Sequence, residues 1–331
     1  MSEFRRAAFV ALALAATVAI AVAGGAVSTH LRAAHSGKTI GYSIFWGTNP
    51  FLVTMLDGAR VAAREWKTQD HPVDIIVTNG GDTDKTRQVS DLEDLFAQGV
   101  DGLLVFPGDS VLVAQPVKNL YNKENVPVVV TDIGLREGKF ESFIVTDNYA
   151  GGTLAGAYMA SVLPRGAEVI TLDFAPTNDN GQIRQQGFED KARELGLNVL
   201  PEFAMAAVLS LENGQRATED LLVAEPSIAG IFSFNQVVVQ GAYAALKAAG
   251  RTEVKLAGFD LDPVSYRMVK EGKIDALVVQ DPWTIGYQGM NQMMKFLNHE
   301  PIEPVVRLGT RLLTKDNAPE FANNPQVISK T

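Results

Sequence analysis

The sequence predicts an α/β protein with two similar lobes, each built on a parallel sheet. After Lys38, short apolar runs rich in β-branched residues alternate with stretches of helical periodicity. Continuous apolar runs of this kind are typical of parallel strands that helices cover on both faces. About ten such runs are present, which is too many for one doubly wound sheet of ordinary size. A chain of 331 residues is also long for a single core, so we expect two lobes.

The predicted elements alternate along the chain. The predicted strands lie at 39–45, 73–79, 101–107, 126–132, 142–148, 167–174, 198–204, 229–235, 254–260 and 275–281. The predicted helices lie at 50–67, 84–98, 110–123, 149–163, 181–195, 213–224, 236–249, 262–271 and 282–298. No long linker rich in Gly, Ser or Pro interrupts this alternation, so we expect the chain to cross between the lobes more than once.

The first part of the chain, 1–36, differs from the rest. Arg5 and Arg6 precede an uncharged apolar run, 7–27, in which Ala and Gly predominate over Leu. This pattern is typical of a secretory signal peptide, and we favour that interpretation. The run is roughly twenty residues long, enough to span a bilayer, so an uncleaved N-terminal anchor is the alternative. Both interpretations place the remainder of the protein in the periplasm or another extracytoplasmic space.

Composition argues against several classes of function. The net charge is −9 and no basic block is present, so a nucleic-acid surface is not expected. The absence of Cys excludes disulfides, thiolate metal sites and a Cys nucleophile. The four His residues show no metal-ligand spacing, and neither a Ser-His-Asp arrangement nor a phosphate loop is visible. We therefore expect neither a cofactor nor a metal, and no catalysis.

Polar side chains stand at the C-terminal ends of the predicted strands. They are Asn79, Asp132, Asp147, Asn235, Asp260 and Gln280. In open parallel α/β sheets the ligand crevice lies at this edge. An Asp or Asn before a helix is often an N-cap, and for Asp147 and Asn148 a capping or hinge role explains the residues at least as well as a ligand contact does. We favour a ligand site for four of the others taken together: Asp132, Asn235, Asp260 and Gln280.

A set of short motifs occurs in a fixed order. The motifs are GTNPF, VVVTD, VTDNYAGG, IRQQGF, IFSFN, LAGFD and VVQDPWTIG. In this order they resemble periplasmic sugar-binding proteins of the ribose-binding type, over nearly the whole chain from about Lys38. The resemblance implies the type I periplasmic binding protein fold, with two Rossmann-like lobes joined by a three-strand hinge. We expect 38–146 and 282–308 in the first lobe, and 147–281 and 309–331 in the second.

The resemblance also implies which side chains contact the ligand. Carried over onto this sequence, they are Asn49, Phe51, Asp132, Arg184, Asn235, Asp260 and Gln280. Carboxylates accept hydrogen bonds from sugar hydroxyls, amides donate and accept, and an aromatic ring such as Phe51 covers an apolar sugar face. Arg184 supplies a rigid donor fork and offsets the two carboxylates, although an exposed pairing with Glu189 or Asp190 is its alternative. Asp132 and Asp260 also suit a glycosidase pair, but hydroxyl acceptance explains them better.

Two tryptophans and three departures from the family pattern leave alternatives open. Trp46 is either a wall of the site or a core residue, and Trp283 either lines the cleft or packs between elements. The departures are Ile133 in place of an Arg, Leu52 in place of an aromatic, and a second-lobe aromatic that falls near Ala207 or Val208. They fit a ligand with fewer hydroxyls than ribose, or one packed by different aromatics.

The expected function is that of an extracytoplasmic solute-binding protein. It captures a small carbohydrate or polyol between two lobes by hinge closure and delivers it to the membrane permease of an ABC importer. We expect a monomer with no nucleic-acid partner. The alternative is a periplasmic sensor that presents a sugar or an autoinducer-like furanose to a chemoreceptor or sensor kinase, and an uncleaved 7–27 anchor would favour it.

Overall fold

The computed structural model describes residues 37–68, 71–80, 84–173, 179–205 and 209–328. The predicted signal peptide or anchor at 1–36 and the second-lobe aromatic expected near Ala207 or Val208 lie outside these ranges. In the described part of the chain, no helix is both long enough and apolar enough to cross a membrane.

The strands form two sheets, and along the chain most strands are followed by a helix. They are β1 Lys38–Ser43, β2 Val73–Thr78, β3 Gly102–Val105, β4 Val128–Thr131, β5 Ser142–Thr146, β6 Glu168–Asp173, β7 Asn198–Val199, β8 Phe203–Ala204, β9 Gly230–Ser233, β10 Lys255–Phe259, β11 Ala276–Val279, β12 Val305–Leu308 and β13 Arg311–Thr314. The first sheet has the order β12-β5-β4-β3-β1-β2, and the second has the order β13-β11-β10-β9-β6-β7 with β8 beside β6. From β12 to β1 the first sheet is parallel. The second is parallel except for β13, which runs antiparallel to β11.

Helices cover both sheets, as the apolar strands require. They are α1 Pro50–Thr68, α2 Lys85–Ala97, α3 Ala114–Pro116, α4 Asn148–Val162, α5 Asp179–Glu194, α6 Leu211–Ala224, α7 Gln236–Ala248, α8 Pro263–Lys270, α9 Pro282–Leu297 and α10 Pro325–Ile328. A π-helical turn, Val117–Tyr121, follows α3, and a 3-10 turn, Ala318–Phe321, precedes α10. The two closest helix pairs are α1 with α9 on the first sheet and α4 with α5 on the second.

The chain crosses between the sheets at three places. Strand β5 belongs to the first sheet, but α4 directly after it packs on β10 and β11 of the second. Strand β11 belongs to the second sheet, but α9 after it packs on β3, β4 and β5 of the first. Strand β12 continues from the first sheet into β13 of the second. The predicted α/β fold with two parallel sheets and a three-strand hinge is confirmed.

The predicted lobe boundaries stay a prediction. Below, "first lobe" means 38–146 with 282–308, and "second lobe" means 147–281 with the remainder of the described chain.

Local sequence explains where the elements differ from their predicted extent. The run predicted as one strand at 198–204 forms β7 and β8, separated by Pro201, which has no N–H to donate to a sheet ladder. The helix predicted at 110–123 is only α3 and the π turn, because Pro116 cannot donate within a helix. Strands β12 and β13 are short and partly exposed, so they lack the continuous apolar runs that identified the others.

A glycine contact between α4 and α5 positions one residue of the site. The backbone carbonyl of Arg184 on α5 lies so close to Gly152 on α4 that a Cβ at Gly152 would overlap it. On the other side of the same pair, a Cβ at Gly187 would overlap the carbonyl of Tyr149. The two helices therefore approach at backbone contact distance, which fixes the height of Arg184 above the second sheet.

Candidate functional site

A cavity of about 450 Å³ lies between the lobes, at the C-terminal ends of the strands of both sheets. This volume is within the usual range for small-molecule sites. Eight of the nine predicted site residues line it: Trp46, Asn49, Phe51, Asp132, Arg184, Asn235, Asp260 and Gln280. Asp147 is not among the lining residues, since its side chain caps α4 by accepting from the N–H of Ala150 at 3.0 Å.

Arg184 is buried, with 5% of its surface exposed, and its guanidinium is held on several sides. Nε donates to Oδ1 of Asn148 at 2.8 Å, and Nη1 donates to the carbonyl oxygen of Phe234 at 3.0 Å. The guanidinium carbon lies 3.8 Å from the centre of the Phe259 ring, a distance typical of a cation–π contact. The alternative of an exposed ion pair with Glu189 or Asp190 is therefore wrong.

Asp260 is the centre of a polar cluster in the second lobe. Its Oδ2 accepts from Nδ2 of Asn235 at 2.9 Å and from Nη1 of Arg184 at 3.5 Å, and its Oδ1 accepts from Nε2 of Gln280. We name these four residues the Asp260 cluster. A carboxylate offers about four lone-pair positions, so most of the accepting capacity of Asp260 is already used within the protein. Asp260 thus organises the donors around it, and its predicted role as an acceptor for a ligand hydroxyl stays a prediction.

Asp132 differs from Asp260 in having little support for its charge. It is 6% exposed, and its Oδ1 has no hydrogen-bond partner in the described part of the chain. Burial raises the pKa of Asp132 to about 7; the nearby charge of Arg184 lowers this pKa and that of Asp260 raises it. A hydroxyl donor placed at Oδ1 would satisfy this oxygen and stabilise its ionised form.

The amide side chains of the site also serve as helix caps. Oδ1 of Asn49 accepts from the N–H of Phe51 at 2.9 Å, and Oδ1 of Asn235 accepts from the N–H of Val237 at 2.9 Å. Both oxygens are thus used by the starts of α1 and α7, so the amide nitrogen of Asn49 and the second N–H of the Asn235 amide remain as donors toward a ligand. Oε1 of Gln280 has no partner among the described residues and is a free acceptor.

The two tryptophans have different positions. Trp46 lines the cavity and is 39% exposed, so the alternative of a core residue is wrong. Trp283 is absent from the cavity lining, and its ring stacks on Tyr287 within α9, with 4.9 Å between ring centres. The tentative prediction that Trp283 contacts the ligand is therefore replaced by its alternative, a packing role.

The structure also places residues in or behind the site that sequence reasoning missed. The rings of Phe45, Phe106 and Phe234 line the cavity at the ends of β1, β3 and β9. Their positions at strand ends were a usable signal, but apolar residues there are equally explained by packing. For Asn148 the sequence indicated a capping or hinge role. Its hydrogen bond to Arg184 was not predicted, because that contact depends on how α4 crosses α5.

Two polar contacts join the lobes beside the cavity. Nη2 of Arg136 lies 2.6 Å from Oδ1 of Asp179, and Nδ2 of Asn180 donates to the carbonyl oxygen of Asp132 at 3.2 Å. Among the residues that the structure describes, no group of His, Asp and Glu side chains has the arrangement of a metal site. The cavity lining offers hydrogen-bond donors, hydrogen-bond acceptors and aromatic rings to a polar molecule.

Comparison with known proteins agrees with this geometry. Residues 40–301 match the family of periplasmic binding protein domains. The chain belongs to the periplasmic binding protein family. It is 30% identical over 267 residues to the ribose import binding protein of Escherichia coli strain K12, an alignment that covers 81% of this chain and 87% of that protein. The resemblance stated from the motifs is confirmed, and the family is one of binding proteins rather than enzymes.

Solved structures share the fold. An ABC transporter solute-binding protein from Agrobacterium vitis, bound with alpha-D-tagatopyranose, has a TM-score of 0.79 at 23% identity and covers 88% of this chain and 100% of its own. A carbohydrate transporter solute-binding protein from Agrobacterium radiobacter, in complex with D-arabinose, has a TM-score of 0.72 at 27% identity, with coverages of 89% and 98%. The similarity to these solved structures supports the two-lobed fold of this protein.

Proposed function

We propose that this periplasmic binding protein captures one small carbohydrate or polyol between its lobes and delivers it to the membrane permease of an ABC importer. The observation that carries the proposal is the pairing of two unlike surfaces across one cavity. A pre-assembled polar cluster around Asp260 lies on the second lobe, and a buried Asp132 whose Oδ1 has no partner among the described residues lies on the first, with aromatic residues in the same lining.

The hydrogen-bonding capacity left open in the cavity matches hydroxyl groups. Oδ1 of Asp132 and Oε1 of Gln280 are acceptors without donors in the described structure. The amide nitrogen of Asn49 and the second N–H of the Asn235 amide are donors at the same cavity. A hydroxyl both donates and accepts, so a polyhydroxylated ligand can satisfy both kinds of group at once. The rings of Trp46 and Phe51 offer faces for its C–H surface.

Closure around the ligand follows from the three chain crossings. A hinge of three strands allows the lobes to rotate as units, and a ligand that contacts both lobes favours the closed arrangement by its differential affinity for it. The contacts of Arg136 with Asp179 and of Asn180 with Asp132 link the lobes beside the cavity and would add to closure.

Location and partners follow from the same proposal. An importer component of this family acts outside the cytoplasmic membrane, as the N-terminal pattern at 1–36 also predicts. We expect a monomer that contacts its permease. The names of the similar proteins describe import, which favours delivery over the sensor alternative with a chemoreceptor or sensor kinase.

Calorimetric titration of the purified protein with pentoses, hexoses, deoxy sugars, tetritols and inositols tests the binding step. We expect one-to-one binding of at least one of them, without turnover. Phe51→Ala should weaken that binding about tenfold or more, since it removes a ring from the cavity. Phe140→Ala is the matched control: Phe140 is also a half-buried first-lobe ring, but it contacts Phe143 and is absent from the cavity lining.

Failure of every sugar and polyol to bind would overturn the proposed function. Delivery is tested separately by uptake of the bound sugar in cells with and without the gene for this protein. Loss of uptake supports the importer role, whereas unchanged uptake with a lost chemotactic response would support the sensor.

A further inference from the structure

Several apolar side chains of the first lobe line the cavity. Phe45, Leu52, Phe106 and Ile133 all line the cavity, and we call these four residues the apolar wall. All four belong to the same hydrophobic cluster of the first lobe or pack against it, so the wall is continuous with the core. The ring of Phe45 lies where a Cβ on Gly108 would be, which limits its movement.

The apolar wall belongs to the first lobe, whose lining residues also include Asn49 and Asp132. The Asp260 cluster is formed entirely by second-lobe residues, whereas Asp132 on the first lobe is the immediate neighbour of Ile133. No side chain of the apolar wall can donate or accept a hydrogen bond. A ligand hydroxyl pressed onto the wall would lose its water without gaining a partner. A methyl or methylene group at the same place would bury apolar surface at no such cost.

We propose that the preferred ligand is a deoxy sugar, bound with its hydroxyl-poor edge on the apolar wall and its hydroxyls toward Asp132 and the Asp260 cluster. The proposal rests on the proposed function and names the substrate class for the same cavity. A sugar with a methyl group in place of a hydroxymethyl group, or with a ring methylene, presents an edge of this kind.

Matched pairs of sugars that differ by one hydroxyl give the direct test. Calorimetric titration compares D-fucose with D-galactose, L-rhamnose with L-mannose, and deoxyribose with ribose. We expect the deoxy member to bind about 10- to 100-fold more tightly in the pair whose stereochemistry fits, the range that one such group is worth in an apolar pocket. This comparison uses the unmodified protein and does not depend on any variant.

Substitution of Ile133 provides a second, shape-matched test. Ile133→Thr and Ile133→Val give side chains of nearly equal shape, but only Thr places a hydroxyl on the wall. We expect Ile133→Thr to lower the ratio of deoxy-sugar affinity to hydroxylated-sugar affinity about tenfold, since the new hydroxyl can form a hydrogen bond with a ligand hydroxyl. Ile133→Val should retain the direction of the preference, with both sugars bound more weakly.

The outcomes separate the two proposals. If sugars bind but the hydroxylated member is equal or tighter in every pair that binds, the deoxy-sugar proposal is wrong and the proposed function stands. If no sugar or polyol binds, the proposed function is wrong and this proposal falls with it. A third outcome is that both Ile133→Thr and Ile133→Val keep the full preference for the deoxy sugar. Ile133 would then not contact the ligand as part of the apolar wall, and the proposal as stated would be wrong.

Discussion

The two lobes place an aspartate at equivalent positions and surround it differently. Asp132 follows β4 with a φ of 64°, and Asp260 follows β10 with a φ of 74°. The N–H of Asp132 donates to the carbonyl of Ile144 at 2.8 Å, and that of Asp260 donates to the carbonyl of Val278 at 2.9 Å. In both lobes, therefore, the chain turns sharply at the end of a central strand and directs an acid to the ligand edge. Left-handed φ values are tolerated by Asp and Asn better than by most residues.

The difference between the two aspartates lies in their partners. Asp260 has Arg184, Asn235 and Gln280 around it, whereas Oδ1 of Asp132 has no partner in the described chain. The same backbone arrangement thus serves two purposes. In the second lobe the carboxylate is hydrogen-bonded before a ligand binds, whereas in the first lobe Oδ1 of Asp132 is left to accept a hydrogen bond from the ligand. The two lobes therefore have equivalent backbone conformations at these aspartates but different electrostatic surroundings.

The largest expected effect comes from removing the cation of the second lobe. Arg184→Met leaves the carboxylate of Asp260 buried beside two amides, and breaking a buried pair in this way costs about 3–5 kcal/mol of unfolding free energy. We also expect at least a hundredfold loss of sugar affinity. Urea unfolding and calorimetric titration measure the two effects.

Arg193→Met on the same helix is the control for Arg184→Met. Arg193 is half exposed, and its partner Glu189 keeps hydrogen bonds from Thr171 and Gln185, so the loss of Arg193 should cost less than about 1 kcal/mol and leave affinity unchanged. Equal destabilisation by the two variants would show that Arg184 is not a buried structural cation and would remove the main difference between the lobes.

The same substitution at the two aspartates should have opposite effects on stability at high pH. The pKa of Asp132, about 7, lies above the ordinary value near 4, so the folded protein binds more protons than the unfolded chain between these pH values. The stabilising contribution of protonated Asp132 is complete below about pH 4 and is lost as the pH rises through about 7. Asp132→Asn should therefore raise the unfolding free energy by about 1–3 kcal/mol at pH 8 relative to the unsubstituted protein, with a smaller gain at pH 5.

Asp260→Asn is the matched substitution. It leaves Arg184 without its carboxylate, so we expect a loss of about 3 kcal/mol at pH 8. Urea unfolding of both variants at pH 5 and pH 8 measures these changes. If both variants lose stability equally at pH 8, the proposed contrast in the surroundings of the two aspartates is wrong. Both variants should bind sugar more weakly, because each removes a carboxylate from the cavity.

Asn148 tests how far the organisation of the second lobe extends behind the cavity. Asn148→Ala removes the acceptor for Nε of Arg184, a hydrogen bond to a charged group worth about 1.5–3 kcal/mol. We expect a loss of stability in this range and an affinity about tenfold lower, since the guanidinium is less well held. Asn122→Ala, whose side chain binds the backbone of Lys139 in the first lobe, should lower stability with little change in affinity. Equal affinities in the two variants would limit Asn148 to a structural role.

The fold could be predicted from the sequence because its signals are local. Runs of Val, Ile and Leu mark the buried parallel strands, and the two sheets follow from their number. Strands β12 and β13 were not predicted because they are short, partly exposed and defined by pairing with distant partners. The position of the site was predictable for a similar reason, since the ends of parallel strands meet at one edge.

The internal chemistry of the site could not be predicted in the same way. The role of Asp260 as an organiser depends on side chains from α5, α7 and the end of β11 converging on one carboxylate. Oδ1 of Asp132 has no partner in the described chain, because no described side chain of the first lobe reaches it. Trp283 follows a site residue closely in sequence, yet the direction of α9 places its ring against Tyr287. Distances of a few ångströms across chain segments decide these roles, and no local pattern encodes them.

The smallest expected effect concerns the contact that joins the two lobes. Arg136 and Asp179 are both about half exposed, so their ion pair should contribute less than about 1 kcal/mol to closure. Arg136→Ala, Asp179→Ala and the double variant form a cycle in which sugar affinity is measured at low and high salt. Because the pair lies between the lobes and outside the cavity lining, we expect a coupling of a few tenths of a kcal/mol at low salt that fades as salt screens it. A coupling energy that is unchanged at high salt would mean that the two side chains interact through packing. The ion pair would then make no electrostatic contribution to closure, which would depend on the contacts of the ligand with the two lobes.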